Sequence, residues 1–348
     1  MYFFAQMARL RLVQKILGFA QSLLEIVRRN SHSKVKKVYL PKIKPLFVKA
    51  LIKIQDKFFK TVFSRREIAT ELFQKTLPDS IQKTLDFEKI DLVPGSFVNA
   101  KLKEHFADLV YRCPIIGAGE VHIVLLLEHK SYQEEYPHFQ LLQYLLELWN
   151  QNKKQKEKPV FILPIVFYHG KTTWHYQRMQ DYFENIPHPF MRYLPTFDYD
   201  LIDLSQMEDH QIESFSNSFL AISTFLLKYR HLQNYIKAKE KQFVKLMRNV
   251  DIQQDEELVE SIFLYVEGTN NLPQNELFYI FESISNSSKV KAMSTLERVL
   301  KNQKDETNYE AIKNLLKEGL VTDIEKLRSV LKVSKRKMEG FLKKMESE

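Results

Sequence analysis

Residues 122–131 read HIVLLLEHKS. Five consecutive apolar residues, Ile123 to Leu127, run straight into Glu128, His129 and Lys130. A strand that is apolar at every position has both faces covered, so it belongs inside a sheet with helices above and below. Side chains alternate along a strand, which puts Glu128 and Lys130 on one face and His129 on the other. The preceding run, HFADLVYRCPI (105–115), also suits a strand, and Ile116-Gly117-Ala118-Gly119 between the two is a turn signal. A hairpin turn centred on Ala118 sets Asp108 opposite Glu128. Directly opposed like charges destabilise a sheet unless a cation joins them or a proton is shared. Asp108 also interrupts the apolar run FADLVY, where a buried carboxylate needs a partner. The plainer alternative is a strand that simply reaches solvent at Glu-His-Lys.

Working outward, DKFFKTVFSRREIATELFQKTLP (56–78) has helical periodicity, with Phe59, Phe63, Ile68, Leu72 and Phe73 on one side and Pro78 ending it. HFQLLQYLLELWNQNKK (138–154) is a strong helix, and PVFILPIVFYHG (159–170) is apolar on both faces, as a central strand would be. The element order predicts an α/β fold, a mixed sheet with a hairpin and helices on both faces. A short strand is predicted within FDYDLIDLS (197–205) and helices beyond residue 210. The final stretch, from Glu310, predicts three short helices, with Gly319 at a helix end and Thr322 and Ser334 as caps. Near the N-terminus, Phe3, Met7, Leu10, Leu12, Ile16 and Leu23 recur at about helical spacing, and residues 28–55 hold no acid, only basic side chains interrupted by Pro41 and Pro45. This segment is either a solvated linker or a basic arm.

Composition bounds the rest. Only one cysteine, Cys113, is present, which excludes an internal disulfide framework and a four-cysteine zinc site and fits a reducing cytoplasm. The apolar run ILGFAQSLL (16–24) is too short to span a bilayer, so no stable membrane insertion is expected. The formal charge of +9 favours polyanionic partners.

An aspartate, a glutamate and a lysine converging at a strand end make a specific set. Two carboxylates are hard oxygen ligands for Mg2+ or Mn2+. Such a metal polarises a phosphoryl oxygen and lowers the pKa of bound water. A lysine beside it can position that water or neutralise developing charge. The predicted chemistry is phosphodiester hydrolysis.

Four stretches then match a known family: DKFFKTVFS (56–64), LVPGSFVNAKLKEHFADLVYR (92–112), VLLLEHKS (124–131) and LPIVFYHGKTTW (163–174), with YDLIDLSQM (199–207) resembling the domain end. In that order they resemble the Rpn family of recombination-promoting nucleases, also described as YhgA-like putative transposases, within the PD-(D/E)XK nuclease superfamily. The resemblance implies a restriction-endonuclease-like core of α-β-β-β-α-β order over residues 55–230, with a basic helical extension at 1–54 and a helical region at 231–348. It implies an Mg2+- or Mn2+-dependent DNA endonuclease with Asp108 and Glu128 on the metal and Lys130 as the catalytic cation, linked to recombination or mobile elements. Many members of the family have glutamine where this chain has Lys130. Gln143 and Tyr144 on the helix at 138–154, and Asp56 on the opening helix, are candidates for supporting the site; Gln140 and Glu67 are alternatives. His169 is read as structural. Lys153, Lys154, Lys156 and Lys171 are candidates for contacting DNA phosphates. The terminal VLKVSKRKMEGFLKKM (330–345) fits a helix-turn-helix recognition helix, but a helical cap with its lysines in water is preferred. A homodimer is left open. The rival reading is a catalytically inactive DNA-binding or assembly protein that keeps the fold.

Overall fold

The computed structural model describes residues 57–93, 109–128, 135–250, 255–270, 272–317, 323–331 and 333–346, with the backbone alone at 120, 122–128, 299–300, 302–304, 306–307, 311, 315, 326, 330 and 346. The N-terminal helix and basic arm expected from the sequence lie outside these residues, as do Asp56, Asp108, Lys130, Gly319 and Thr322. The chain divides into two compact units, one of residues 51–289 and one of residues 290–348 with 1–50.

The first unit is a mixed α/β body around five strands: β1 (Asp91–Leu92), β2 (Leu109–Pro114), β3 (Glu120–Glu128), β4 (Phe161–Tyr168) and β5 (Asp200–Asp203). Their spatial order is β1-β2-β3-β4-β5. β1, β2 and β3 are antiparallel neighbours, whereas β4 runs parallel to β3 and β5 parallel to β4. The parallel step from β3 to β4 is made by helix α3 (Pro137–Lys154), which carries the chain back along the sheet.

The β2–β3 hairpin corrects the expected register. Leu109 pairs with Leu125 and Pro114 with Glu120, so the ladder is centred on Gly117, one residue before Ala118. The reason is conformational. Ala118 donates its N–H to the Ile115 carbonyl at 3.0 Å, and the residue before the closing position has a φ of +75°. Glycine takes that left-handed conformation at little cost, and alanine does not. A one-residue shift of the centre moves every pair by two, so faces are preserved while partners change.

The alternation is clear. Val110 on β2 and Ile162, Val166 and Tyr168 on β4 pack with Leu141, Tyr144, Leu145 and Leu148 of α3. On the opposite face, Tyr111 meets Phe73 edge-on at 5.4 Å, and Phe167 meets Phe59 and Phe63 at 5.4 and 5.1 Å. Helices therefore cover both faces, as the doubly apolar strands required.

The helix expected over 56–78 is broken. It forms α1 (57–63) and α2 (Arg66–Thr76), with Arg65 extended at ψ 123° between them. Arg65 is held there by ion pairs to Asp255 at 3.0 Å and Glu257 at 2.7 Å, partners 190 and more residues away. Glu71 on α2 accepts the backbone N–H groups of Ser216 and Asn217, and Asn217 in turn caps α4 (Ser218–Tyr229) through Phe219 and Leu220. Further helices, α5 (Glu240–Arg248), α6 (Glu256–Thr269) and α7 (Gln274–Ile284), extend this layer through Phe225, Phe243, Phe281 and Phe263, while Tyr265 stacks on Phe58 at 4.1 Å.

In the second unit the expected first short helix is instead part of α8 (Asn286–Lys317), 32 residues with no proline or glycine to stop it. α9 (Ile324–Leu331) and α10 (Lys335–Glu346) follow, and Ser334 caps α10 as expected, accepting from the Lys337 N–H.

Candidate functional site

The parallel register aligns three strand ends in one row: Glu128 pairs with Tyr168, and Tyr168 with Asp203. The carboxyl ends of strands in open α/β sheets are where ligands bind, because the loops that follow are free to vary. Glu128 is the last residue of β3, and its backbone pairing gives it the face of Val110 and Tyr168. Asp108 is bonded to Leu109, the first residue of β2, but lies outside the described residues with Lys130, Asp56 and the side chain of Glu128. Among the described residues no group of three His, Cys, Asp or Glu side chains gathers to hold a metal.

Two of the supporting candidates separate on α3. Tyr144 is buried in the core between α3 and the sheet, whereas Gln143 is exposed. Gln140, four residues before Tyr144, is half-buried and so flanks the buried stripe that Gln143 leaves. The four lysines are all exposed but do not share one end of the sheet. Lys171 follows Tyr168 by three residues, at the Glu128 end. Lys153, Lys154 and Lys156 follow or end α3, just before β4 begins, so the length of an eight-residue strand, roughly 25 Å, separates them from Glu128.

Sequence reading did not single out Asp203, although it stands in the same row. Its carboxylate is committed to structure: it accepts the Trp174 N–H at 2.9 Å and the Ser205 N–H at 2.8 Å. Those bonds fold the loop after β4 back onto the α3 face, where Trp174 meets the Tyr168 ring at 5.0 Å and donates its indole N–H to Tyr199. Gly170 is required by this fold-back, since a Cβ there would lie on the Tyr168 ring. Gly170→Ala is expected to lower stability by about 1–3 kcal/mol, the usual cost of overpacking, read as a fall in the denaturant midpoint; a midpoint equal to wild type would show the loop can shift freely.

His169 is wholly buried, and its carbonyl accepts from the His231 ring, which fits the structural role expected of it. Cys113 is buried, its thiol pushed up to about 11 chiefly by that burial, so it is no nucleophile at neutral pH.

His138, in the first turn of α3, is fully buried at the same end of the sheet. Its Nδ1 lies 2.6 Å from the Tyr182 hydroxyl, and Phe197 and Tyr199 meet its ring at 5.2 and 5.1 Å. Burial lowers its pKa below the ordinary histidine value, and nearby Asp198 offsets this only in part. The folded state thus prefers the neutral ring. Its contribution to stability is whole above the unfolded value of about 6.5 and is lost as pH falls from there through the folded value. The melting temperature is expected to fall from pH 7 to pH 5 more steeply in the wild type than in His138→Phe; equal slopes would refute it.

A mixed α/β sheet covered on both faces, with its strands' carboxyl ends in one row and an acidic residue ending the central strand, defines the structural class. Within it, the chain belongs to the YhgA-like putative transposase family, whose model matches residues 53–258, more than half of its length. The chain is similar to three Escherichia coli proteins. It is 25% identical over 159 residues to the inactive recombination-promoting nuclease-like protein RpnE of strain K12, covering 45% of this chain and 52% of the relative. It is 28% identical over 120 residues to the recombination-promoting nuclease RpnC of strain K12, covering 34% and 39%. It is 24% identical over 120 residues to the recombination-promoting nuclease RpnD of strain O157:H7, covering 34% and 46%. The chain thus spans about half or less of the length of these relatives. No solved structure matches it. No helix among the described residues is long and apolar enough to cross a membrane.

Proposed function

We propose that this protein is a metal-dependent DNA endonuclease with a restriction-endonuclease-like core, acting in recombination or on mobile elements. The observation that carries the reading is the place of Glu128, last residue of the central strand at the carboxyl edge of the sheet. Asp108 directly precedes β2 in the sequence, and in this reading its carboxylate and that of Glu128 share the cation. Two hard oxygen donors together with a lysine two residues on in the sequence suit Mg2+ or Mn2+. A metal held there would polarise a phosphoryl oxygen and acidify bound water. In this reading Asp108 and Glu128 are its ligands, Lys130 orients the attacking water or offsets charge on the phosphate, and Lys171 contacts a backbone phosphate at the same edge.

The names of the similar nucleases support this activity, and the inactive relative RpnE supports a second reading, a DNA-binding protein that keeps the fold without cutting. Plasmid cleavage in Mg2+ or Mn2+ separates the two: a wild-type protein that nicks no faster than its Glu128→Ala variant favours the second.

A further inference from the structure

The second unit contains α9, then Val333 and Ser334, then α10. Two helices joined by so short a connection usually make a plain hairpin, but here the burial pattern says more. Leu327 and Leu331 of α9, Val333 of the connection, and Met338 of α10 are all buried in one core with Ile312 of α8, and Phe341 packs against it. Because Val333 is buried, the turn itself is part of the core, and the two helices are fixed to each other and to a third. Arg328 locks the turn: its carbonyl accepts the Val333 N–H at 3.0 Å and its guanidinium reaches the Val333 carbonyl at 3.4 Å. Lys337 pairs with Asp305, tying α10 to α8. A buried turn joining two helices that share a core with a third is one feature of a helix-turn-helix.

The outward side of α10 has a definite chemistry. Lys335, Arg336, Glu339, Gly340, Lys343 and Lys344 are exposed, four cations to one acid, and Arg336, Gly340 and Lys343 follow one another at i, i+4, i+7 on a single line. Gly340 is the informative residue. Glycine inside a helix costs about 1 kcal/mol against alanine. Nothing in the unit asks for it, since a Cβ at position 340 would meet no atom within 4 Å. A gap in the side chains between two cations suits a surface against which another molecule's backbone comes close.

We propose that α10 is a recognition helix that lies in the major groove of duplex DNA, with Lys335, Arg336 and Lys343 meeting phosphates or base edges and Gly340 allowing close approach. A helix with its side chains, about 10–12 Å across, matches a groove about 12 Å wide. This replaces the helical cap preferred from sequence. It rests on the second unit alone and holds whether or not the sheet edge cuts DNA.

The test is fluorescence anisotropy of a labelled mixed-sequence duplex with the full chain, in EDTA and with Glu128→Ala in every protein, so that a loss of binding cannot be confused with a failure to cleave. The combined Lys335→Ala, Arg336→Ala, Lys343→Ala protein is expected to bind at least about tenfold more weakly, with a salt slope smaller by about one for each phosphate that no longer meets a cation. A charge-matched control, Lys57→Ala, Lys83→Ala, Lys241→Ala, takes exposed lysines from the first unit and is expected to bind less than about threefold more weakly. Gly340→Gln is expected to bind more weakly while its melting temperature holds or rises, an outcome that a purely structural role for α10 does not produce. The proposal is overturned if the first variant binds no worse than the control, or if Gly340→Gln binds like wild type.

Discussion

Asp108→Ala and Glu128→Ala should each slow Mg2+-dependent plasmid nicking by about 100- to 1,000-fold, and EDTA should abolish it in the wild type. The metal is expected to supply several kcal/mol of transition-state stabilisation, and each 1.36 kcal/mol is tenfold in rate. In the proposed site, loss of either carboxylate would remove a ligand and leave the other unable to hold the ion alone. Lys130→Ala should cost less, because a cation that orients water is partly replaced by solvent. A second readout separates a metal site from an ordinary strand end. If Asp108 and Glu128 share a cation as proposed, they repel when none is bound, so each alanine variant should melt at or above the wild-type temperature in EDTA and lose most of any stabilisation that Mg2+ gives the wild type. Equal nicking by wild type and both variants would point to a contaminant and sink the proposed chemistry.

Phe167→Ala should lower stability by about 3–5 kcal/mol, the usual range for a buried phenylalanine. Phe167 is fully buried in β4 and meets both Phe59 and Phe63 of α1. The ring is thus one link, with the Tyr111 hydroxyl that donates to the Phe63 carbonyl, between the sheet and a helix that a break at Arg65 has separated from α2. Urea unfolding followed by far-UV circular dichroism measures it. A loss below about 1 kcal/mol would mean α1 repacks without the ring.

What could be read in the sequence follows from how local its cause is. α3 and β4 were plain, because periodicity and an unbroken apolar run are written in consecutive residues. β5 was visible for the same reason, as alternation in FDYDLIDLS. The break at Arg65 was not, because the partners of its side chain, Asp255 and Glu257, lie 190 and more residues away. The hairpin centre was displaced by one residue because Gly117 and Gly119 both invite a turn, and only the backbone tells which takes the positive φ. Glu128 was found at a strand end because acidity after an apolar run is local. The separation of Lys171 from Lys153, Lys154 and Lys156 was hidden, because neighbours in composition are moved to opposite ends of the sheet by one crossover helix. The buried turn at Val333 was equally hidden: a lone valine among lysines and serine gives no periodic signal until Ile312 is brought against it.

The strand order has a consequence for how the molecule is made. The five strands stand in space in the order in which they are synthesised. Each new strand can dock on the one before it, with no gap left open for a later arrival, and the exposed edge moves steadily away from β1. Such a sheet can grow on the ribosome as the chain emerges. The helical face cannot. Phe58 waits for Tyr265, and Arg65 for Asp255, both separated by about two hundred residues. At a synthesis rate of roughly 5–20 residues per second, the side of α1 that carries Phe58 stays uncovered for about 10–40 s. During that interval it is the part of this protein most in need of a chaperone.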